Sequence, residues 1–152
     1  MGTGQKVAIV TGASQGIGAA LVKAFRDRNY RVAANSRSIK PDSDPDILTV
    51  AGDIADPATA DRLISEALAR FGRIDTLVNN AGIFIARPFT KYTPEQFASV
   101  VATNLAGFFH VTQRAVEAME KRTSYATCKR RGRWRRRNTK CFRSTTPSSL
   151  GS

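Results

Sequence analysis

Residues 1–120 contain no cysteine, and residues 121–152 contain no acid. The two cysteines, Cys128 and Cys141, stand in the acid-free part with the single tryptophan, Trp134. Two cysteines there make no disulfide framework, and a cysteine-free body suits a reducing, cytoplasmic setting. No apolar run approaches the about twenty residues that span a bilayer, so no membrane partner is expected. One lysine precedes a short apolar run that breaks at Thr11-Gly12, which is not the pattern of a secretory signal. No metal site is expected.

The missing acids also explain the charge. The formal net charge is +12 over 152 residues. All twelve acids lie in residues 1–120, where thirteen Lys and Arg nearly balance them; the other eleven cations fall in residues 121–152. The basic balance therefore describes a tail. Such a tail invites nonspecific, salt-dependent polyanion binding, but it lacks the stacking aromatics and domain pattern of nucleic-acid modules. The expected division is a folded domain over residues 1–121 and a basic, disordered or non-native tail over 122–152.

What is present is a glycine-bearing stretch, Thr11-Gly12-Ala13-Ser14-Gln15-Gly16-Ile17-Gly18. It follows the apolar run Val7–Val10 and opens onto a helical pattern. Glycines at a strand-to-helix turn let a pyrophosphate approach, and the helix start presents free N–H groups and a positive dipole end. The spacing is Gly-x-x-x-Gly-x-Gly, and alone it is a weak signal, equally readable as a glycine-rich turn without a ligand.

The rest of residues 1–121 alternates strands and helices. Strands are predicted at Lys6–Val10, Tyr30–Asn35, Ile47–Val50 and Ile74–Asn79. Ile17, Ala20, Leu21, Ala24 and Phe25 give one helix face, ending near Asn29. Asp56-Pro57 starts a second helix with the stripe Ala60, Leu63, Ile64, Ala67, Leu68 and Phe71, closed by Gly72. Thr93-Pro94-Glu95-Gln96 is a capping box opening a long helix to about Lys121, with Phe97, Val101, Leu105, Phe108 and Thr112 along one side. A loop with Pro41, Pro45 and three aspartates joins the second and third strands. This order predicts an α/β, Rossmann-like, doubly wound parallel sheet of four strands, with an irregular basic tail. Right-handed crossovers put the second and third strands on one side of the first and the fourth on the other. The ligand crevice then lies between the ends of the first and fourth strands.

Three motifs meet at those ends: Thr11-Gly12-x-x-x-Gly16-x-Gly18, Asp53, and Asn79-Asn80-Ala81-Gly82. Together they resemble the short-chain dehydrogenase/reductase family over residues 5–121, about the first half of a usual member. The resemblance implies that Gly12, Gly16 and Gly18 receive a cofactor pyrophosphate, with Ser14 and Gln15 shaping the loop and Ile17 in backbone contact. It implies that Asp53 accepts from the adenine amino group beside Ile54, and that Asn80, Ala81 and Gly82 border the adenosine ribose and steady the central strand. The second strand ends Asn35-Ser36-Arg37-Ser38, without the acid that would bind the ribose 2′-OH of NAD. Arg37, between Ser36 and Ser38, can pair with the 2′-phosphate of NADP. NADP(H) is favoured over NAD(H).

Asn104 matches the family's catalytic-site asparagine, which distorts its helix and holds a water. The family's Ser and Tyr-x-x-x-Lys follow a fifth strand, and nothing after Glu120 reads as one. Tyr125 and Lys129 have the spacing, but they follow the long helix directly and read as a chance match. The resemblance thus implies an NAD(P)-dependent oxidoreductase, passing hydride between nicotinamide and a small carbonyl or alcohol substrate. The chain itself reads as truncated and inactive, as a frameshift would make it. The alternatives are a non-catalytic nucleotide-binding fragment and a nucleic-acid binder acting through the Arg-rich tail. Helix 94–121 is the expected face of a homo-oligomer.

Overall fold

A computed structural model describes residues 4–130, with side chains as far as Lys121. Four strands form one parallel sheet: β1 (Val7–Thr11), β2 (Arg31–Ser36), β3 (Ile47–Ala51) and β4 (Thr76–Val78), in the order β3-β2-β1-β4. This is the predicted order. Val10 of β1 lies opposite Ala34 of β2 and Val78 of β4, so the strands' carboxyl ends align on one rim.

Helices cover both faces. Helix α1 (Gly16–Asp27) lies on one, where Leu21, Val22 and Phe25 pack against Val10, Val32 and Ala34. Helices α2 (Pro57–Phe71) and α4 (Phe108–Arg130) lie on the other, around Val7, Ile9, Ala33, Leu48 and Val50. All five residues of β1 are buried, which is why that strand reads as a continuous apolar run.

Local signals set the helix ends. The Asp56 carboxylate accepts from Ala58 N–H at 2.9 Å with Pro57 behind it, and Gly72 closes α2 with φ +73°. Short helix α3 (Pro94–Val101) opens on the predicted box: Thr93 and Gln96 exchange backbone and side-chain bonds at 3.3 Å.

Three predictions need correction. The long helix is not continuous: a π-helical stretch, Ala102–Gly107, separates α3 from α4. Its buried face is Gly107, Val111 and Ala115, whereas Phe97, Leu105 and Phe108 are exposed. Small residues at that face let α4 approach α2 and Ile54 closely, and size, not hydropathy, sets the contact. In α1, Ile17 and Ala20 point outward, and the packed face runs through Gly18, Leu21, Val22 and Phe25. Strand β4 has three residues, because only β1 pairs with it among the described residues. Helix α4 runs to Arg130; beyond that, the basic tail expected over 122–152 lies outside the described residues.

The connection from β2 to β3 carries no helix. Parallel strands usually need about a dozen or more residues and a helix to cross over; here residues 37–46 do it alone. Arg26 of α1 pins the far half of this crossover through Asp44 at 2.8 Å and Asp46 at 3.0 Å, and Arg31 adds a second bond to Asp46.

Candidate functional site

The carboxyl ends of β1 and β4 flank a cleft of about 410 Å³. Gly12 and Ser14–Gly18 of the glycine stretch, Ser36–Ser38, Asp53 with Ile54, and Asn80–Gly82 all line it. The structure therefore brings every predicted cofactor residue to one concavity, at the topological switch point.

Glycine chemistry builds the near wall. A Cβ on Gly12 would stand 2.8 Å from Ala81 Cα, and one on Gly18 would stand 2.0 Å from the Gly12 carbonyl oxygen. These two glycines let the loop close on itself and on β4. Gly16 differs: its φ is +56° and the space beside it is open. Gln15 precedes α1 without a side-chain cap, and the first turn holds no acid. The first N–H groups of a twelve-residue helix thus open onto the cleft with the dipole's positive end unneutralised. A pyrophosphate fits this cradle in shape and charge.

Thr11 ties the two walls together. Its hydroxyl accepts from the Asn80 and Ala81 N–H groups at 3.1 and 3.0 Å. The Asn80 side chain donates to the carbonyls of Thr11 and Gly12 at 3.0 and 3.1 Å. These bonds join the carboxyl ends of β1 and β4.

The far end is built by β2 and β3. Asp53 accepts from Ala55 N–H through Oδ1 at 3.0 Å, as a turn aspartate does; its Oδ2 has no partner among the described residues. Asn35, which sequence reading passed over, is fully buried and donates to the carbonyls of Val50 and Gly52 at 2.9 and 3.2 Å. It joins the ends of β2 and β3 and so sets the distance between Ser36 and Asp53. The buried Asn35 Oδ1 and Ser36 Oγ have no partner among the described residues. Arg37 and Ser38 are exposed beside them, and Arg37 has no anionic partner there. A polar residue inside an apolar strand was the available sign of Asn35.

Asn104 stands apart from the cleft wall. It lies in the π-helical stretch, and its amide pairs with both backbone groups of Ile83: Ile83 N–H donates to Oδ1 at 2.8 Å, and Nδ2 donates to the Ile83 carbonyl at 2.9 Å. The stretch departs from α-helical geometry, and π-stretches recur at functional sites. Thr103 and Ile83 on either side of this bracket do reach the cleft. The side chains of Tyr125 and Lys129 lie outside the described residues, as does any polyanion contact of the tail. No group of metal-ligating side chains occurs among the described residues, and no described helix is long and apolar enough to cross a membrane.

The family model for short chain dehydrogenases matches residues 6–125. Acetoacetyl-CoA reductase of Shinella zoogloeoides is 38% identical over 123 residues, covering 78% of this chain and 51% of that protein. Sorbitol dehydrogenase of Cereibacter sphaeroides is 34% identical over 120 residues, covering 75% and 47%. Among solved structures, a 3-ketoacyl-(acyl-carrier-protein) reductase from Brucella melitensis, complexed with NADH, matches with a TM-score of 0.75 at 30% identity, covering 80% and 53%. The chain spans about half the length of the curated relatives it matches. The family match, the parallel sheet and the glycine cleft agree: the chain belongs to the short-chain dehydrogenase family.

Proposed function

We propose that residues 1–121 form the nucleotide-binding part of an NAD(P)-dependent oxidoreductase, and that NADP(H) is its cofactor. The observation that carries this is the single cleft joining the uncapped start of α1, the glycine loop, Arg37 and Asp53. The glycine loop and helix start bind the pyrophosphate, Asp53 Oδ2 accepts from the adenine amino group, and Asn80–Gly82 border the ribose. Arg37 supplies the charge a 2′-phosphate needs, and no acid stands nearby on β2 to favour a free 2′-OH. The bound cofactor supplies hydride chemistry at a carbonyl or alcohol carbon. Several relatives are reductases of 3-oxoacyl thioesters, which makes that substrate class the first to assay.

Asn104 acts through Ile83 and the π-stretch to hold the loop beside the nicotinamide end. Exposed Leu105 and Phe108 favour self-association along the helix pair α3–α4. The test titrates the full chain with NADPH and NADH by nicotinamide fluorescence, then assays acetoacetyl-CoA reduction. Saturable NADPH binding is expected; absence of binding to either cofactor overturns the proposal.

A further inference from the structure

The β2–β3 crossover carries no helix, and a second hollow, of about 700 Å³, lies between α1 and residues 38–44. Its floor is the sheet: Ala34 and Thr49, opposite each other in register, and Ile47. Ala19 and Val22 of α1 form one wall, and Ile39 of the crossover stands on the other. The hollow shares only Ser14, Gln15 and Ser38 with the glycine cleft, so its floor and walls belong to a separate concavity. The crossover is fixed in place. Arg26 binds Asp44 at 2.8 Å and Asp46 at 3.0 Å, Arg31 binds Asp46, and Arg70 donates to the Pro45 carbonyl at 2.7 Å. The space is therefore preformed, and cavities of about 300–1,000 Å³ are the size that takes small molecules.

Three cations border this hollow, and two of them are committed. Lys23 is bound to Asp27 at 2.9 Å, and Arg26 to Asp44 and Asp46. Lys40 is exposed and forms no ion pair among the described residues. Asp42, two residues on, does not pair with it; one Asp42 oxygen accepts from the Asp44 N–H at 2.9 Å. An apolar floor with one uncommitted cation at its edge suits a ligand with an apolar body and one anionic end. We propose that the hollow is a second ligand site, for a small aliphatic carboxylate. The hydrocarbon chain lies on Val22, Ala34 and Ile47, and the carboxylate meets the Lys40 ammonium. Burying each methylene favours the bound state, and a charge-assisted hydrogen bond fixes which end faces out. Lysine suits that edge, because its three donors ride on a flexible four-carbon stem.

The test is calorimetry of the full chain with octanoate, hexanoate and 1-octanol. Octanoate should bind saturably at one site. Hexanoate, two methylenes shorter, should bind about tenfold more weakly. Lys40→Met should weaken octanoate by about tenfold, and 1-octanol should bind the parent about as weakly. Ala19→Phe puts a ring into the hollow from an exposed position of α1 and should abolish octanoate binding. Lys40→Met changes only an exposed side chain, so it decides the matter even where Ala19→Phe fails to fold. Arg87→Met, in the same loop as exposed Phe84 and Phe89, should change nothing. No saturable octanoate binding overturns the proposal, and so does binding that Lys40→Met leaves unmoved. Octanol binding as tight as octanoate would show that the carboxylate is not recognised. A loss in Arg87→Met would place the ligand on the Phe84–Phe89 surface instead.

Discussion

Asn80 donates to Thr11 twice across the gap between β1 and β4. Asn80 N–H donates to the Thr11 hydroxyl at 3.1 Å, and the Asn80 side chain donates to the Thr11 carbonyl at 3.0 Å. Ala81 N–H adds a third bond to the same hydroxyl. Thr11 is fully buried, so valine, equal in shape, would strand two backbone N–H groups. Each stranded group costs about 1–3 kcal/mol. Thr11→Val should therefore lower unfolding free energy by about 2–4 kcal/mol, and Thr11→Ser by less than about 1. Urea unfolding reads both; equal losses in the two variants would show that the hydroxyl does not hold the walls together.

Much of this site was legible because its signals are local. Gly12, Gly16 and Gly18 are spaced by the backbone's needs at one turn, and Asp56-Pro57, Gly72 and Thr93-Gln96 mark helix ends by their own hydrogen-bond chemistry. The stripe of α2 reads correctly because its buried residues are large and its outer ones charged. The face of α4 was not legible. Gly107 and Ala115 carry little hydropathy contrast, and what buries them is the approach of α2 and Ile54, elements distant in sequence. Asn35 escaped for a related reason: its partners, Val50 and Gly52, are known only once β2 and β3 lie side by side.

Gly107 couples the long helix to the cleft. A Cβ there would stand 2.7 Å from two side-chain carbons of Ile54, which lines the cleft beside Asp53. Gly107→Ala gains helix propensity of about 1 kcal/mol but meets an overpacking cost of about 1–3. The expected outcome is near-neutral to destabilised folding with weaker NADPH binding, as Ile54 is pushed toward the adenine position. Stability and cofactor affinity measured on the same variant separate the effects. Unchanged affinity would mean that Ile54 yields in another direction.

In the proposed NADP(H) reading, cofactor choice turns on Arg37. It is exposed at the rim, without an anionic partner among the described residues, next to the unpartnered Ser36 hydroxyl. Arg37→Asp removes the phosphate's partner and supplies an acceptor for a ribose 2′-OH. The ratio of NADPH to NADH affinity should fall by at least about tenfold, because repulsion between two anions replaces a charge-assisted hydrogen bond. Competitive fluorescence titration gives the ratio directly, and a ratio that does not move refutes the role.

Acid should loosen the crossover before the core. The Arg26 guanidinium, aided by the Asp46 N–H, holds the Asp44 carboxyl below the usual carboxylate range. The folded state therefore binds this proton less readily than the unfolded state. The ion pair contributes fully above the ordinary aspartate value of about 3.9, and its contribution disappears as pH falls through the lower folded value. Asp44→Asn should lower the thermal midpoint at neutral pH and flatten the acid limb. Parallel acid limbs in the two proteins would show that the clamp does not carry this dependence.

Strand β4 forms one edge of the sheet. Strand β4 pairs only with β1 among the described residues, and Phe97 on α3 and Leu105 in the π-helical stretch are each 63% exposed. Phe84 and Phe89, in the chain between β4 and α3, are 87% and 93% exposed. An open strand edge and exposed large apolar side chains each promote association. At micromolar concentration the full chain should therefore run larger than a monomer in light scattering, with a concentration-dependent melt. Leu105→Glu places a charge on this face without touching the buried side of α4, which is formed by Val111 and Ala115. It should shift the chain toward monomer by about tenfold in dissociation constant, the scale of burying one leucine, while leaving NADPH affinity intact. A parent chain that stays monomeric and melts in one sharp, reversible transition would show that this surface is stable in water alone.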